Sequence, residues 1–228
     1  MASRRAKALQ CDEMTNRYVK PHISGIILAG GQSRRMGADK AALPLLGKPL
    51  AAWVLASLQS LLDEVWLVGG SSRLADELGI GFAPDLLPGA GPLAGIYSGL
   101  RATGGDVMVS ACDTPLLQPR LLQAILAAAD GYDVAVPVNG GECEPLVGLY
   151  RRTCLQAMED ALSAEARQVR SIYDAVRVHI VPESIWRQTD PHGLSFINVN
   201  SPVDLVLAQE MMESEATWKI PAVSSSAS

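Results

Sequence analysis

Leu28-Ala29-Gly30-Gly31-Gln32-Ser33-Arg34-Arg35-Met36-Gly37-Ala38-Asp39-Lys40 is the stretch on which the reading of this chain turns. It continues Gly25-Ile26-Ile27-Leu28-Ala29, an unbroken apolar run of the kind that forms a central strand of a parallel sheet. Ligands of open α/β sheets bind beyond the carboxyl ends of the strands, which is where this loop begins. Gly30 and Gly31 lack Cβ atoms, so the backbone there can turn sharply and approach a ligand closely. Successive N–H groups can then form an anion nest, and Arg34, Arg35 and Lys40 add the charge a triphosphate requires. A solvated, flexible loop has the same composition, so the stretch taken alone leaves both readings open. It is neither a Walker loop, for want of GK[ST], nor the GxGxxG of a dinucleotide site.

Outward from this loop, short apolar runs alternate with helical patterns, the signature of a mostly parallel sheet covered by helices. Glu64-Val65-Trp66-Leu67-Val68, Ile80–Ala83, Asp106–Ser110, Val134–Val138, Leu146–Tyr150, Val176–Val181 and Ser195–Val199 read as strands. Helices are expected from Pro49 to Leu62, from Pro92 to about Arg101 and from Pro119 to Ala129. Further helical segments fall near Thr153–Leu162 and Val169–Ala175. A last helix opens at Ser201-Pro202, with serine as N-cap and proline at the first helical position. Residues 1–22 read as a loosely ordered extension, 23–213 as one domain and 214–228 as a C-terminal tail.

The composition narrows the function. A chain of 228 residues with 48% apolar residues and a net charge of −5 offers no general basic surface for nucleic acid or anionic membrane. Cys11, Cys112, Cys143 and Cys154 have no CxxC spacing and read as scattered, mostly buried thiols. His22, His179 and His192 form no metal-binding pattern. No apolar run is long enough to span a bilayer, and Arg4, Arg5 and Lys7 lead into Cys11-Asp12-Glu13 rather than into a signal core. A cytoplasmic location is the expectation.

Three further stretches carry chemistry. Asp113, in Cys112-Asp113-Thr114-Pro115 at the end of a buried strand, suits a Mg²⁺ ligand, since Mg²⁺ takes one or two carboxylates plus phosphate and water oxygens. An aspartate near proline is also a common turn residue. Pro84-Asp85 precedes Gly89-Ala90-Gly91-Pro92-Leu93-Ala94-Gly95-Ile96, where a base or ribose could lie against backbone at a helix start. Asp85 is equally a solvating carboxylate, and Gly89 a simple turn former. In Phe196-Ile197-Asn198-Val199-Asn200-Ser201-Pro202, residues two apart in a strand share a face, so Asn198 and Asn200 can address one site. Asn200 can instead help cap the final helix. Arg170 is either a second anion contact or a solvated helix charge.

These motifs together resemble a known family. LAGGxSxRMGxDK is similar to the signature loop of the molybdenum cofactor guanylyltransferases (the MobA family), within the nucleotidyltransferase superfamily. Related cytidylyltransferases and sugar-phosphate enzymes carry an Ala-Ala-Gly version, so Gly30-Gly31 and the Asp39-Lys40 ending favour the guanylyl branch. GPLAGI and the D-x-P at Asp113 match the family, FINVNSP resembles its FxNxNTP segment, and Glu144-Pro145-Leu146-Val147-Gly148-Leu149-Tyr150 resembles its E/H-P-L-x-x-L-Y stretch on the molybdopterin side.

The resemblance implies a three-layer, Rossmann-like α/β fold. It implies transfer of GMP from GTP to molybdopterin with release of diphosphate. Arg35, Lys40 and Asp113 would be catalytic, with Mg²⁺ as cofactor on Asp113. Leu28, Ala29, Gly30, Gly31, Lys40, Asp85, Gly91, Asp113, Asn198 and Asn200 would contact the substrates. Transient contact with molybdoenzymes or cofactor-handling proteins is compatible with it, whereas nucleic acid and membrane are not expected partners. Val68-Gly69-Gly70 departs from the family, which often has an asparagine there near the nucleotide. A cytidylyltransferase, another nucleotidyltransferase and a non-catalytic cofactor carrier therefore stay as alternatives.

Overall fold

Ile26, Ile27 and Leu28 sit at the centre of an eight-stranded sheet, where neighbours on both sides take up their backbone hydrogen bonds. The protein is seen here as a computed structural model that describes residues 22–30 and 39–214. Gly31, Arg34, Arg35, most of the expected N-terminal extension and the tail after Ser214 lie outside the described residues.

The strands are β1 (Ile23–Leu28), β2 (Pro44–Leu45), β3 (Lys48–Pro49), β4 (Val65–Val68), β5 (Gly81–Ala83), β6 (Asp106–Ala111), β7 (Val134–Asn139), β8 (Glu142–Cys143), β9 (Val147–Tyr150) and β10 (Val178–Val181). The helices are α1 (Leu50–Gln59), α2 (Ser72–Leu78), α3 (Pro92–Thr103), α4 (Pro119–Ala128), α5 (Leu155–Ser163), α6 (Glu183–Trp186) and α7 (Pro202–Glu213). The main sheet runs β10-β7-β9-β6-β1-β4-β5, with β8 paired to β7, while β2 and β3 form a separate hairpin. β1 is parallel to β4 and β6, β4 to β5, and β7 to β10. β9 runs antiparallel to both β6 and β7, and β8 is antiparallel to β7. The sheet is mostly parallel, and the architecture is a three-layer, Rossmann-like α/β fold.

Strand alternation builds the layers. Ile26, Leu28, Val107, Val109, Val134 and Val136 face a cluster with Leu93, Ile96 and Leu100 of α3 and Met158 of α5. Ile27, Leu67, Met108 and Ala135 point the other way, into α1, α2, α4 and Trp186. Because successive residues leave opposite faces of a strand, unbroken apolar runs are what a sheet covered on both sides demands. A third, smaller cluster joins Leu45, Leu50, Leu116, Leu194, Val199, Ala208 and Met212, fastening α7 and the β2–β3 hairpin to one end of the sheet.

Proline opens α3, α4 and α7 at the first turn, as expected from sequence. Ser201 caps α7 in a full capping box with Asp204. One expected strand is absent. Ser195–Val199 is not in the sheet, because both oxygens of Asp190 accept the Leu194 and Ser195 amides and wind Leu194–Phe196 into a 3₁₀ turn. Beyond it only the Val199 amide reaches β6's end, donating to the Asp113 carbonyl at 2.8 Å. The β2–β3 hairpin, α2, β8 and α6 carry no expectation from sequence, and each is short.

At the opposite end of the sheet Asp133 ties β7 to β10 and α5's approach. Its carboxylate accepts from the Arg177 backbone and guanidinium at 3.0 Å and from Thr153 Oγ1 at 2.8 Å. The Arg177 guanidinium foremost, with Thr153, holds its carboxyl well below the usual carboxylate range. A carboxyl depressed in the fold stabilises above its unfolded value and stops doing so as pH falls through the folded one. Asp133→Asn is therefore expected to cost about 2 kcal/mol in urea unfolding at neutral pH. It should also flatten the loss of stability that the parent shows below about pH 4.

Candidate active site

Five loops meet at one end of the sheet. The carboxyl ends of β1, β4, β5 and β6 deliver Ala29-Gly30, Gly69-Gly70, Pro84-Asp85 and Cys112-Asp113. β9 runs the other way, so its beginning brings Glu144-Pro145 to the same end. Between the loops lies a cleft of about 810 Å³. Leu28, Ala29, Gly30, Lys40, Asp85, Gly91, Asp113, Asn198 and Asn200 all line it. Every substrate-contacting residue expected from sequence is thus in one place, apart from Gly31 and Arg35, which lie outside the described residues.

Lys40 is the centre of the cleft. Its ammonium donates to Asp113 Oδ2 at 2.5 Å and to Asn200 Oδ1 at 2.7 Å. The backbone that holds it is a 3₁₀ turn over Lys40–Ala42, capped by Asp39, whose Oδ1 accepts the Ala41 amide at 3.1 Å. Ala41 is fully buried and anchors the turn. An ammonium has three N–H donors, and two are committed here, leaving one for a ligand oxygen.

Asp113 leaves β6 after the Cys112 amide donates to the Leu28 carbonyl at 3.1 Å. Thr114 donates its hydroxyl to the Ala111 carbonyl at 2.9 Å, tightening that turn. The Cys112 thiol, directly before it, is pushed up to about 12, chiefly by burial, and stays protonated at neutral pH. Asn198 and Asn200 flank Val199, which is fully buried, so both amides stand on the open side of an anchored segment. The strand argument that paired them does not hold, but their alternation about Val199 does. Asn200's side chain serves Lys40; only its backbone amide takes part in the α7 cap, donating to Asp204 at 2.8 Å.

On the β4–β5 side the walls are backbone. Gly69 and Gly70 have φ of 72° and 67°, a region that favours glycine. A Cβ on Gly70 would fall 2.9 Å from that of Ala29, so this strand end packs against the β1 loop and has no room for a side chain in that direction. Asp85 accepts the Leu87 amide at 3.1 Å and faces the cleft with its remaining oxygen beside Gly30. Gly91, with φ of 85°, lets the Arg167 carbonyl come within 2.8 Å of where a Cβ would be. That contact brings Arg167 to the cleft wall. Sequence gave no sign of Arg167; Arg170, by contrast, sits 3.4 Å from Glu142 as an exposed ion pair.

On the β9 side the wall is Glu144, Pro145, Leu146, Val147 and Phe196. Among the described residues the cleft's ionised lining is therefore Lys40 and Arg167 against Asp85, Asp113 and Glu144. The Asp113 Oδ2 atom is on Lys40 and the carboxylate is only one-fifth exposed, at the cleft floor. A carboxylate there would repel an incoming triphosphate unless a cation stood between them. The hard oxygen donor that Mg²⁺ prefers is present, with phosphate and water left to complete the shell. Among the described residues no three acidic, histidine or cysteine side chains cluster to hold a metal, so the fit rests on Asp113 alone, a single carboxylate of the kind Mg²⁺ takes together with phosphate and water oxygens.

Comparison with known proteins agrees with this geometry. Residues 25–184 match the model of the MobA-like NTP transferase domain family. A relative from Pelotomaculum thermopropionicum, named a probable molybdenum cofactor guanylyltransferase, is 38% identical over 198 residues, covering 86% of this chain and 97% of that protein. A solved structure from Archaeoglobus fulgidus, titled molybdopterin-guanine dinucleotide biosynthesis protein A, superposes with a TM-score of 0.72 at 29% identity, covering 83% of this chain and 98% of that one. The 2-C-methyl-D-erythritol 4-phosphate cytidylyltransferase of Thermus thermophilus shares the fold at 20% identity and a TM-score of 0.61, over 82% of this chain and 98% of that one. With the family model matching residues 25–184 and the relatives aligning over most of the chain, this chain belongs to the MobA-like NTP transferase family.

Proposed function

We propose that the protein transfers GMP from GTP to molybdopterin, releasing diphosphate and forming the guanine dinucleotide form of the molybdenum cofactor. The observation that carries this reading is the meeting of Lys40, Asp113 and Asn200 at the mouth of the β1 loop, in a chain whose relatives bear guanylyltransferase names. A cytoplasmic location belongs to the same proposal; among the described residues no helix is long and apolar enough to cross a membrane.

The terminal phosphate of molybdopterin is ionised at neutral pH, so its oxygen attacks the α-phosphorus of GTP without a general base. The new P–O bond forms as the bond to the β-phosphate oxygen breaks, and diphosphate leaves with that electron pair. The protein's part is alignment and neutralisation of charge. Ala29 and Gly30 present backbone to the triphosphate. Lys40, fixed by two acceptors, aims its third N–H at the charge that grows during transfer. Arg35, which lies outside the described residues, is assigned to the same charge from sequence. Mg²⁺ held by Asp113 would supply further charge neutralisation at the phosphates. Asp85 and Gly91 face the nucleotide, and Asn198 the acceptor side.

A cytidylyltransferase is the second reading, favoured by one feature. Gly69 and Gly70 can offer a base only backbone, where the family often has an asparagine. Diphosphate release with each nucleoside triphosphate, with and without molybdopterin, separates the two. Release with GTP alone, and only when molybdopterin is present, is the expected result. Preference for CTP would transfer the protein to the cytidylyl branch, and no release with any nucleotide would favour a carrier.

Two variants probe the centre. Asp113→Asn should keep its circular dichroism spectrum while turnover nearly vanishes at ordinary Mg²⁺; normal turnover would remove Asp113 from the mechanism. Lys40→Ala should lower kcat by at least about 100-fold, the usual cost of losing an electrostatic donor. Unchanged kinetics would reduce Lys40 to a structural clasp between Asp113 and Asn200.

A further inference from the structure

Ser201-Pro202-Val203-Asp204 opens α7, and its capping box does more than close the helix. In such a box the side chain at the third helical position accepts the N-cap amide, and the N-cap side chain accepts in return. Both bonds are present. Asp204 Oδ2 accepts the Ser201 amide at 2.8 Å, and Ser201 Oγ accepts the Asp204 amide at 3.3 Å. The same Oδ2 also accepts the amide of Asn200 at 2.8 Å. Asn200 stands one residue outside the helix, whose unpaired amides all lie further along, so the helix has no need of that third bond.

The extra bond falls on a residue that packing does not hold. Val199 is fully buried and donates its amide to the Asp113 carbonyl at 2.8 Å, whereas Asn200 after it is exposed. From Val199 the chain leaves the core, and the Asp204 carboxylate is its next fixed point. The Asn200 amide foremost, and then the Ser201 hydroxyl, hold the Asp204 carboxyl below its usual value, so it is ionised at neutral pH. An ionised acceptor makes the stronger hydrogen bond. At the far end of the same residue, Asn200 Oδ1 accepts the Lys40 ammonium at 2.7 Å. A carboxylate on α7 is thereby linked to the centre of the cleft through the backbone and side chain of one asparagine.

We propose that Asp204 is a positioning residue for nucleotidyl transfer: by fixing the Asn200 backbone it holds Asn200 Oδ1 on the Lys40 ammonium and so aims the ammonium's uncommitted N–H at the phosphates. The proposal rests on the guanylyltransferase reading for the reaction it serves. Two acceptors fix the orientation of an ammonium, whereas Asp113 alone would leave it free to turn about that single bond. Removing the Asp204 carboxylate therefore keeps the Lys40 charge in the cleft and loses its aim. Aim counts most where charge grows during transfer, so the loss falls on kcat rather than on KM.

The two halves of the capping box supply the test. Ser201→Ala and Asp204→Ala each uncap the first turn of α7, but only Asp204→Ala releases Asn200. Both variants should show a lowered thermal midpoint, since both lose a cap. Assayed well below those midpoints, Asp204→Ala should lower kcat for diphosphate release about tenfold while KM for GTP stays within about twofold of the parent's. Ser201→Ala should turn over like the parent. Asp204→Asn keeps an oxygen for both amides and should restore most of kcat. A fully active Asp204→Ala would overturn the proposal. An equal loss in Ser201→Ala would do so too, by reducing the effect to helix stability. Acetic anhydride labelling, read at Lys40 by mass spectrometry relative to the other lysines, gives a second readout without substrate. Lys40 should acetylate several-fold faster in Asp204→Ala than in the parent or Ser201→Ala; equal rates in all three count against the proposal. Because labelling needs no turnover, a parent that releases no diphosphate refutes the guanylyltransferase reading alone and leaves the Asp204 linkage to be judged by Lys40.

Discussion

The Lys40 ammonium, shared between Asp113 and Asn200, is the interaction on which the arrangement of the cleft depends. It joins the loop after β1, the end of β6 and the segment before α7, three places that sequence order keeps far apart. The sheet supplies the reason they can meet. β1 and β6 are parallel neighbours, so their carboxyl ends are side by side. The third segment arrives by a different route, pinned to Asp113's own carbonyl through Val199. Held by these two acceptors, the ammonium keeps one N–H uncommitted and faces the cleft.

Charge in this cleft is divided in a way that suits group transfer between two anions. A chain of net −5 attracts neither substrate from a distance, so attraction is local. Among the described residues Lys40 and Arg167 are the cations of the cleft, and in the proposed function a cation held by Asp113 would stand between carboxylate and phosphate. The same economy explains why no buried nucleophile is called upon. The Cys112 thiol is nearest and is held protonated by its burial. Catalysis then resides in fixed groups aimed before the reaction begins, which costs nothing in reorganisation at the moment of transfer.

Much of this was legible in the sequence, and the exceptions are instructive. β1, β4, β6 and β7 declare themselves because a sheet covered on both faces needs unbroken apolar runs. Pro92, Pro119 and Pro202 mark helix starts through a local constraint on φ. Ser195–Val199 misled because its alternation imitates a half-buried strand. The deciding fact was Asp190, whose two oxygens capture the Leu194 and Ser195 amides and divert the chain. The β2–β3 hairpin and α2 are too short for periodicity to register. The residues of the site split in the same manner. Gly30, Lys40, Asp113 and Asn200 belong to motifs, whereas Arg167 reaches the cleft only through its contact with Gly91, which no local pattern records.

The smallest of the three apolar clusters has a consequence for how the protein fails. Leu45 and Leu50 follow directly on the Lys40 turn, Val199 precedes Asn200, and all share that cluster with Ala208 and Met212 of α7. Its few side chains hold two of the three partners of the central contact, while the third is fixed to the main sheet. Local opening of a small unit requires less free energy than unfolding the whole. Lifting of α7 and the hairpin therefore dismantles the charge centre while the eight strands stay paired. Under heat or denaturant this protein is expected to become silent before it becomes unfolded, and its working lifetime is governed by the C-terminal helix rather than by the core that gives the fold its shape.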